Sequence, residues 1–207
     1  MKIKSELVSL IALIGVVWFV LASVYLQIIR TDLNVLRDAL SLYAIGESGF
    51  ILETGFYSIG TAQILISFLW LKTDGINKCS IIALFLAGVG VILVGVFPTH
   101  VEPVDSMVKL PHIVGAIMQF MFFPVALLLL LKDLSHNRFR RVTITVGVTT
   151  AALFFIVAIL FFVSATIEIK FFGLIEKLEI YVIDIWLIYI TLKLSRNGRA
   201  LSIRDRH

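Results

Sequence analysis

Six stretches of this sequence are uncharged or nearly so: Leu7 to Ile29, Phe50 to Leu71, Cys79 to Thr99, His112 to Leu131, Val142 to Ile167 and Phe171 to Leu192. About 20 apolar residues in a helix cover a hydrocarbon core of roughly 30 Å. Each stretch is therefore expected to cross as a helix. The runs are continuous instead of alternating in short strands, which excludes a β-barrel. The expected fold is an all-α, polytopic six-transmembrane-helix bundle with short loops.

Composition agrees. Hydrophobic residues make up 59%, charged residues 15%, and the mean hydropathy is +1.02, whereas soluble domains carry about a quarter charged residues. Six crossings of a 207-residue chain leave no room for a soluble domain, so residues 1–207 are read as one transmembrane domain. The net charge of +4 does not point to nucleic acid, because no basic cluster alternates with aromatics. It is instead distributed by side. The amino terminus, the second and fourth connections and the carboxyl tail hold 13 of the 18 Lys and Arg. By the positive-inside rule both termini are cytoplasmic, and the expected location is the cell membrane. Cys79 is the single cysteine, so no intrachain disulfide or thiolate cage can form. The first run is too long for a signal h-region and reads as a signal-anchor helix.

The first outer segment, residues 30–49, has apolar residues at helical spacing. Thr31 or Asp32 would cap a short amphipathic helix with Leu33, Leu36 and Leu40 on one face, packed on the outer ends of the bundle. Pro98 and Pro111 bracket the second outer loop and suit sharp turns out of and into helices. Gly88 and Gly95 on the third helix, and the ridge Thr54, Ser58 and Ala62 on the second, permit close backbone approach. Pro124 is expected to bend the fourth helix.

Three helices offer polar stripes. Glu53 leads through Phe56 or Tyr57 and Gly60 to Gln63. His112 shares a face with Gly115, Ala116 and Gln119. Lys177, Tyr181 and Asp184 align at i, i+4 and i+7. Buried against one another, they would line a pocket open to the outside. The candidate ligand or proton sites are thus Glu53, His112, Gln119, Lys177, Tyr181 and Asp184. Asp at the helix centre costs about 2.5–3.5 kcal/mol, and one interhelical hydrogen bond returns only about 0.6 kcal/mol. Asp184 therefore needs several partners, water or a proton, with Tyr181 joining it in a relay to Gln119 or Gln63. At Glu53, His112 and Lys177, nearer the interface, a structural role is favoured. A zinc site needs three protein ligands; His100 and His112, with Glu102 or Asp105, form no recognised spacing. No metal, haem or other cofactor is expected. Phosphate loops, nucleophile elbows and paired broken helices are absent from the sequence.

The segments Arg37 to Ser41 leading to Glu53 and Gly55, Gly95 to Pro98 followed by His112, and Gly173 to Lys177 before Trp186 resemble the membrane family known as domain of unknown function 998 (DUF998). The likeness runs from the first loop to the last helix. In that family an acidic residue, Leu and Gly typically follow the Leu-Ser pair; here Leu42, Tyr43 and Gly46 stand there, so no role passes to a loop carboxylate. The resemblance implies a compact six-helix fold and no activity. The favoured reading is a non-catalytic bundle that binds a lipid or ligand, or an accessory subunit. Its partners would be membrane lipids and either other membrane subunits or copies of itself. The alternatives are a small ion-coupled carrier using the intramembrane acids, and a lipid hydrolase with an outer-face metal site.

Overall fold

The computed structural model describes residues 2–98, 106–134, 138–164 and 169–197. They form six α-helices: α1 (Lys2–Ile29), α2 (Gly49–Leu71), α3 (Lys78–Val96), α4 (Ser106–Leu130), α5 (Arg138–Ser164) and α6 (Phe172–Asn197). Five of them, α1 to α5, are long and apolar enough to cross a membrane. The sixth falls short in composition because Glu176, Lys177, Glu179, Asp184 and Lys193 interrupt it. Each helix packs on its neighbour in sequence, and α6 returns to α1, closing a ring.

Small residues set how closely the ring is drawn. A methyl group on Gly60 would lie 2.7 Å from the Gly88 carbonyl oxygen, and one on Gly88 would lie 2.7 Å from that of Gly60. Gly90 and Gly115 face each other across α3 and α4 in the same way, at 2.6 Å. Backbones therefore touch where no hydrophobic force drives helices together. The ridge on α2 serves α1: Thr54 accepts from the Trp18 indole at 3.2 Å, and Ser58 donates to the Gly15 carbonyl at 2.9 Å. Gly95 meets Tyr57 and Phe56.

Toward one end the interior is filled by aromatic rings. Trp186 stands edge-on to Trp70, with centroids 6.1 Å apart, and to Phe123 at 5.7 Å. At that end Asp133 accepts from the Asn77 amide at 2.6 Å, tying the α2–α3 connection to the segment after α4.

Several helix ends differ from those expected. α3 stops at Val96 and not Thr99, because Phe97 precedes Pro98 and is driven from helical backbone, to φ −117°, ψ 75°. α4 begins at Ser106, so Pro111 lies within it and does not open it. As the sixth residue, Pro111 forfeits only one hydrogen bond just past a first turn whose amides lack helical partners in any case. Pro124 is also interior to α4.

The 30–49 connection carries a short helix, but not where the apolar spacing put it. Residues 31–38 form turns, and a 3-10 helix follows at Leu40–Ala44, burying Leu40, Tyr43 and Ala44. Leu36, expected on the buried face, is 53% exposed. The cause is Asn34, whose side chain accepts from the Leu36 and Arg37 amides at 2.9 and 3.2 Å, while the Asp38 carboxylate takes the Asn34 amide at 2.7 Å. Those local bonds replace helix bonds.

Candidate functional site

The 34–40 backbone is strapped onto the first turn of α6. A helix begins with four amides that have no intrahelical acceptor; here Gly173 donates to the Arg37 carbonyl at 3.0 Å and Leu174 to that of Leu36 at 2.9 Å. A side chain at Gly173 would run into the Asp38 carbonyl oxygen, so only glycine lets the strap approach. Glu176 then accepts from the Leu40 amide at 2.8 Å. Lys177 donates its Nζ to the carbonyls of Val35 (3.1 Å), Asp38 (2.5 Å) and Gly173 (3.4 Å), 5.4 Å from the centre of the Tyr43 ring. The hydrogen-bonded Arg37 guanidinium beside Asp38 holds that carboxyl below its usual range. Burial pushes the Tyr43 phenol up.

Beneath the strap lies a cavity of about 50 Å³ inside the ring. Its walls come from α1, α2, α3, α4 and α6, and Leu40 and Ser41 of the 3-10 helix form its roof. Most of the wall is apolar, including Phe19, Phe56, Ile59 and Phe120; the polar groups are His112, Gln119, Glu176 and Asp184. His112 sits on the Phe97 carbonyl through Nδ1 at 2.8 Å. A carbonyl only accepts, so Nδ1 carries the proton and a neutral ring offers Nε2 as an acceptor. Asp184 is 1% exposed, and neither carboxyl oxygen has a partner; the Gln119 Oε1 is unpartnered as well.

Of the six residues singled out from sequence, His112, Gln119 and Asp184 meet at this cavity. Lys177 belongs to the strap. Tyr181 turns toward α1, where it accepts from Gln27 at 2.6 Å and lies 3.3 Å from the Ser23 hydroxyl. It therefore does not bridge Asp184 to Gln119 or Gln63, as the relay expected, because its hydroxyl is taken up by Gln27 and Ser23 of α1. Glu53 is half-buried and outside the cavity wall. Its stripe splits, with Phe56 facing the cavity and Tyr57 donating to the Gly95 carbonyl at 3.1 Å. Gln63 is fully buried with both amide atoms unpartnered.

Two acids outside the six candidates are also interior. Glu176 lines the cavity, and Glu179 is fully buried with both oxygens unpartnered. The signal for Glu176 was spacing, since Glu176, Ile180, Ile183 and Asp184 recur on one helical face; Glu179 is not on that face. The weak metal candidate His100, with Glu102 and Asp105, lies outside the described residues. Among the described residues no three His, Cys, Asp or Glu side chains gather to hold a metal ion.

Apolar membrane-length helices packed in a ring, with carboxylates turned inward and hydrocarbon side chains outward, define a helical integral membrane protein. The family model described as "Protein of unknown function (DUF998)" matches residues 13–193, and the chain belongs to that family. No curated protein and no solved structure matches the chain. Two segments that carried the resemblance, Arg37 to Ser41 and Gly173 to Lys177, are the two sides of the strap.

Proposed function

We propose that this chain is a single-domain, six-span, non-catalytic membrane bundle that binds a small ligand in its core. It would sit in the cell membrane with both termini cytoplasmic, surrounded by lipids, alone or beside other subunits or copies. The cavity ending on the unpartnered Asp184 carries this reading. A buried carboxyl without partners costs free energy that a purely structural bundle would shed by replacing it with a hydrocarbon side chain. The sixth span rests on packing. Because α6 lies against both α1 and α5 and buries Lys177, Glu179 and Asp184, lipid does not meet the charges that lower its hydropathy.

The test is a thermal-shift screen of the protein in lipid nanodiscs against small cationic, neutral and anionic compounds. At least one class should raise the melting temperature saturably, and Ala116→Phe, which fills the cavity from α4, should abolish the response. No saturable shift with any class would overturn the reading.

A second reading, an ion-coupled carrier, is favoured by the depth of Asp184, about 18 Å along α6 from Phe172 at 1.5 Å per residue. In proteoliposomes it predicts a proton or cation flux that Asp184→Asn removes.

A further inference from the structure

The polar groups around the cavity are unevenly supplied with protons. Asp184 brings two unpartnered oxygens and Gln119 a third. Glu176 has spent one oxygen on the Leu40 amide, and His112 has committed its Nδ1 proton to Phe97, leaving Nε2 as an acceptor. Among the described residues no Lys or Arg lines the wall, and the nearby cation, Lys177, is held by three strap and helix carbonyls. An occupant that brings N–H donors and positive charge satisfies this set. An anion would meet the carboxyl groups of Asp184 and Glu176 and, among the described residues, no lining cation.

The rest of the wall separates organic from inorganic cations. A bare metal ion is held by a full shell of oxygen ligands, whereas Phe19 and Phe56, whose rings are 5.6 Å apart, and Phe120 offer faces and hydrocarbon. Aromatic faces attract an ammonium group and also accept alkyl carbons. With about 12 Å³ needed per water-sized group, a volume of about 50 Å³ admits roughly four such groups.

We propose that the cavity is a binding site for a small primary alkylammonium ion, its N–H groups donated to Asp184 and Gln119 and its short hydrocarbon body lying against Phe19, Phe56 and Phe120. This rests on the core-ligand reading above and names the chemical class of the ligand.

The experiment is calorimetric titration of the full chain in nanodiscs with n-propylammonium, n-propanol, propionate and sodium ion, each at matched ionic strength. Saturable binding of propylammonium, with affinity at least tenfold above that of propanol and none for propionate or sodium, is expected. Asp184→Asn should weaken it at least tenfold. Should that variant fail to fold, Gln119→Leu and the cavity-filling Ala116→Phe are to be titrated instead, with weakening and loss expected respectively. Preferential binding of propanol, propionate or sodium would overturn the ammonium assignment while leaving a core-binding bundle. Propylammonium binding that survives both Asp184→Asn and Ala116→Phe would overturn the site. No binding of any of the four, with a thermal-shift screen that still finds another ligand, would overturn the ammonium class alone; silence in both would remove the core-binding reading with it.

Discussion

Lys177 shows how a cation is accommodated when its helix is packed among apolar neighbours. Its Nζ reaches back to the Gly173 carbonyl and across to those of Val35 and Asp38, so the charge is met by backbone dipoles. Lys177→Met would leave two strap carbonyls without their donor, a loss of about 1.5–3 kcal/mol for hydrogen bonds to a charged group. The variant should unfold at a lower temperature, and the amides of Leu40, Gly173 and Leu174 should exchange faster with deuterium. Lys177→Arg should not restore protection, since a planar guanidinium does not point at three carbonyls gathered around one nitrogen. Unchanged exchange in Lys177→Met would show that the strap does not depend on this residue.

Asp38 gives the strap a pH dependence. Its folded-state pKa is lowered, first by the hydrogen bond from Arg37 and then by the Asn34 amide. The stability it contributes is present above the ordinary carboxylate value of about 3.9 and lost as pH falls through the lower folded value. Exchange at Asn34, the amide that the Asp38 carboxylate accepts, should therefore rise only in strong acid, and Asp38→Asn should flatten that rise. A rise beginning near neutrality would assign it to another group. At this scale the sequence was only partly legible. That Asp184 points inward follows from the cost of exposing it to lipid, but the partner of Tyr181 does not. Helical spacing says which side chains share a face, while the identity of the helix opposite depends on ring order. Ser23 and Gln27, polar residues in an apolar run, were the marks of that contact on α1.

Among the elements, α3 is the most closely held, meeting α2 through Gly60 and Gly88 and α4 through Gly90 and Gly115. A methyl group at Gly90 would stand 2.6 Å from the Gly115 carbonyl oxygen and 2.9 Å from the Gln119 amide nitrogen. Both are backbone atoms and cannot swing aside. Gly90→Ala should cost about 1–3 kcal/mol, the usual penalty for overpacking. Gly115→Ala should cost a similar amount, and the double variant less than the total of the two, since the first separation of the helices makes room for the second methyl. Unfolding of the three variants in one detergent series measures this; full additivity would show that the contact is not shared. Gly88 and Gly95 were legible as contact points from their spacing, whereas Gly90 was not, and the membrane-length helices α1 to α5 were legible from the length of the apolar runs. The helix ends were less so. Pro111 is absorbed because a helix tolerates proline near its first turn, and Asn34 overrides an amphipathic pattern by capturing amides locally.

For the whole molecule, closing the ring between α1 and α6 lets a helix with four charged residues in its first half stand among apolar neighbours. It also leaves the lumen with unlike ends, the aromatic packing of Trp70, Phe123 and Trp186 at one and the strap at the other. Which end faces the cytoplasm is set by charge. With 13 of 18 Lys and Arg at the amino terminus, the α2–α3 and α4–α5 connections and the carboxyl tail, the aromatic end should be cytoplasmic and the strap external. The chain carries a native probe for this, because Cys79 is the only cysteine and is exposed at the start of α3. In intact cells Cys79 should resist a membrane-impermeant maleimide and react once the membrane is permeabilised. In a Cys79→Ser background, Glu47→Cys, at an exposed position between the 3-10 helix and α2, should show the reverse and label without permeabilisation. If Cys79 labels in intact cells while Glu47→Cys is protected, the bundle is inverted, and a ligand reaching the cavity past Leu40 and Ser41 would come from the cytoplasm.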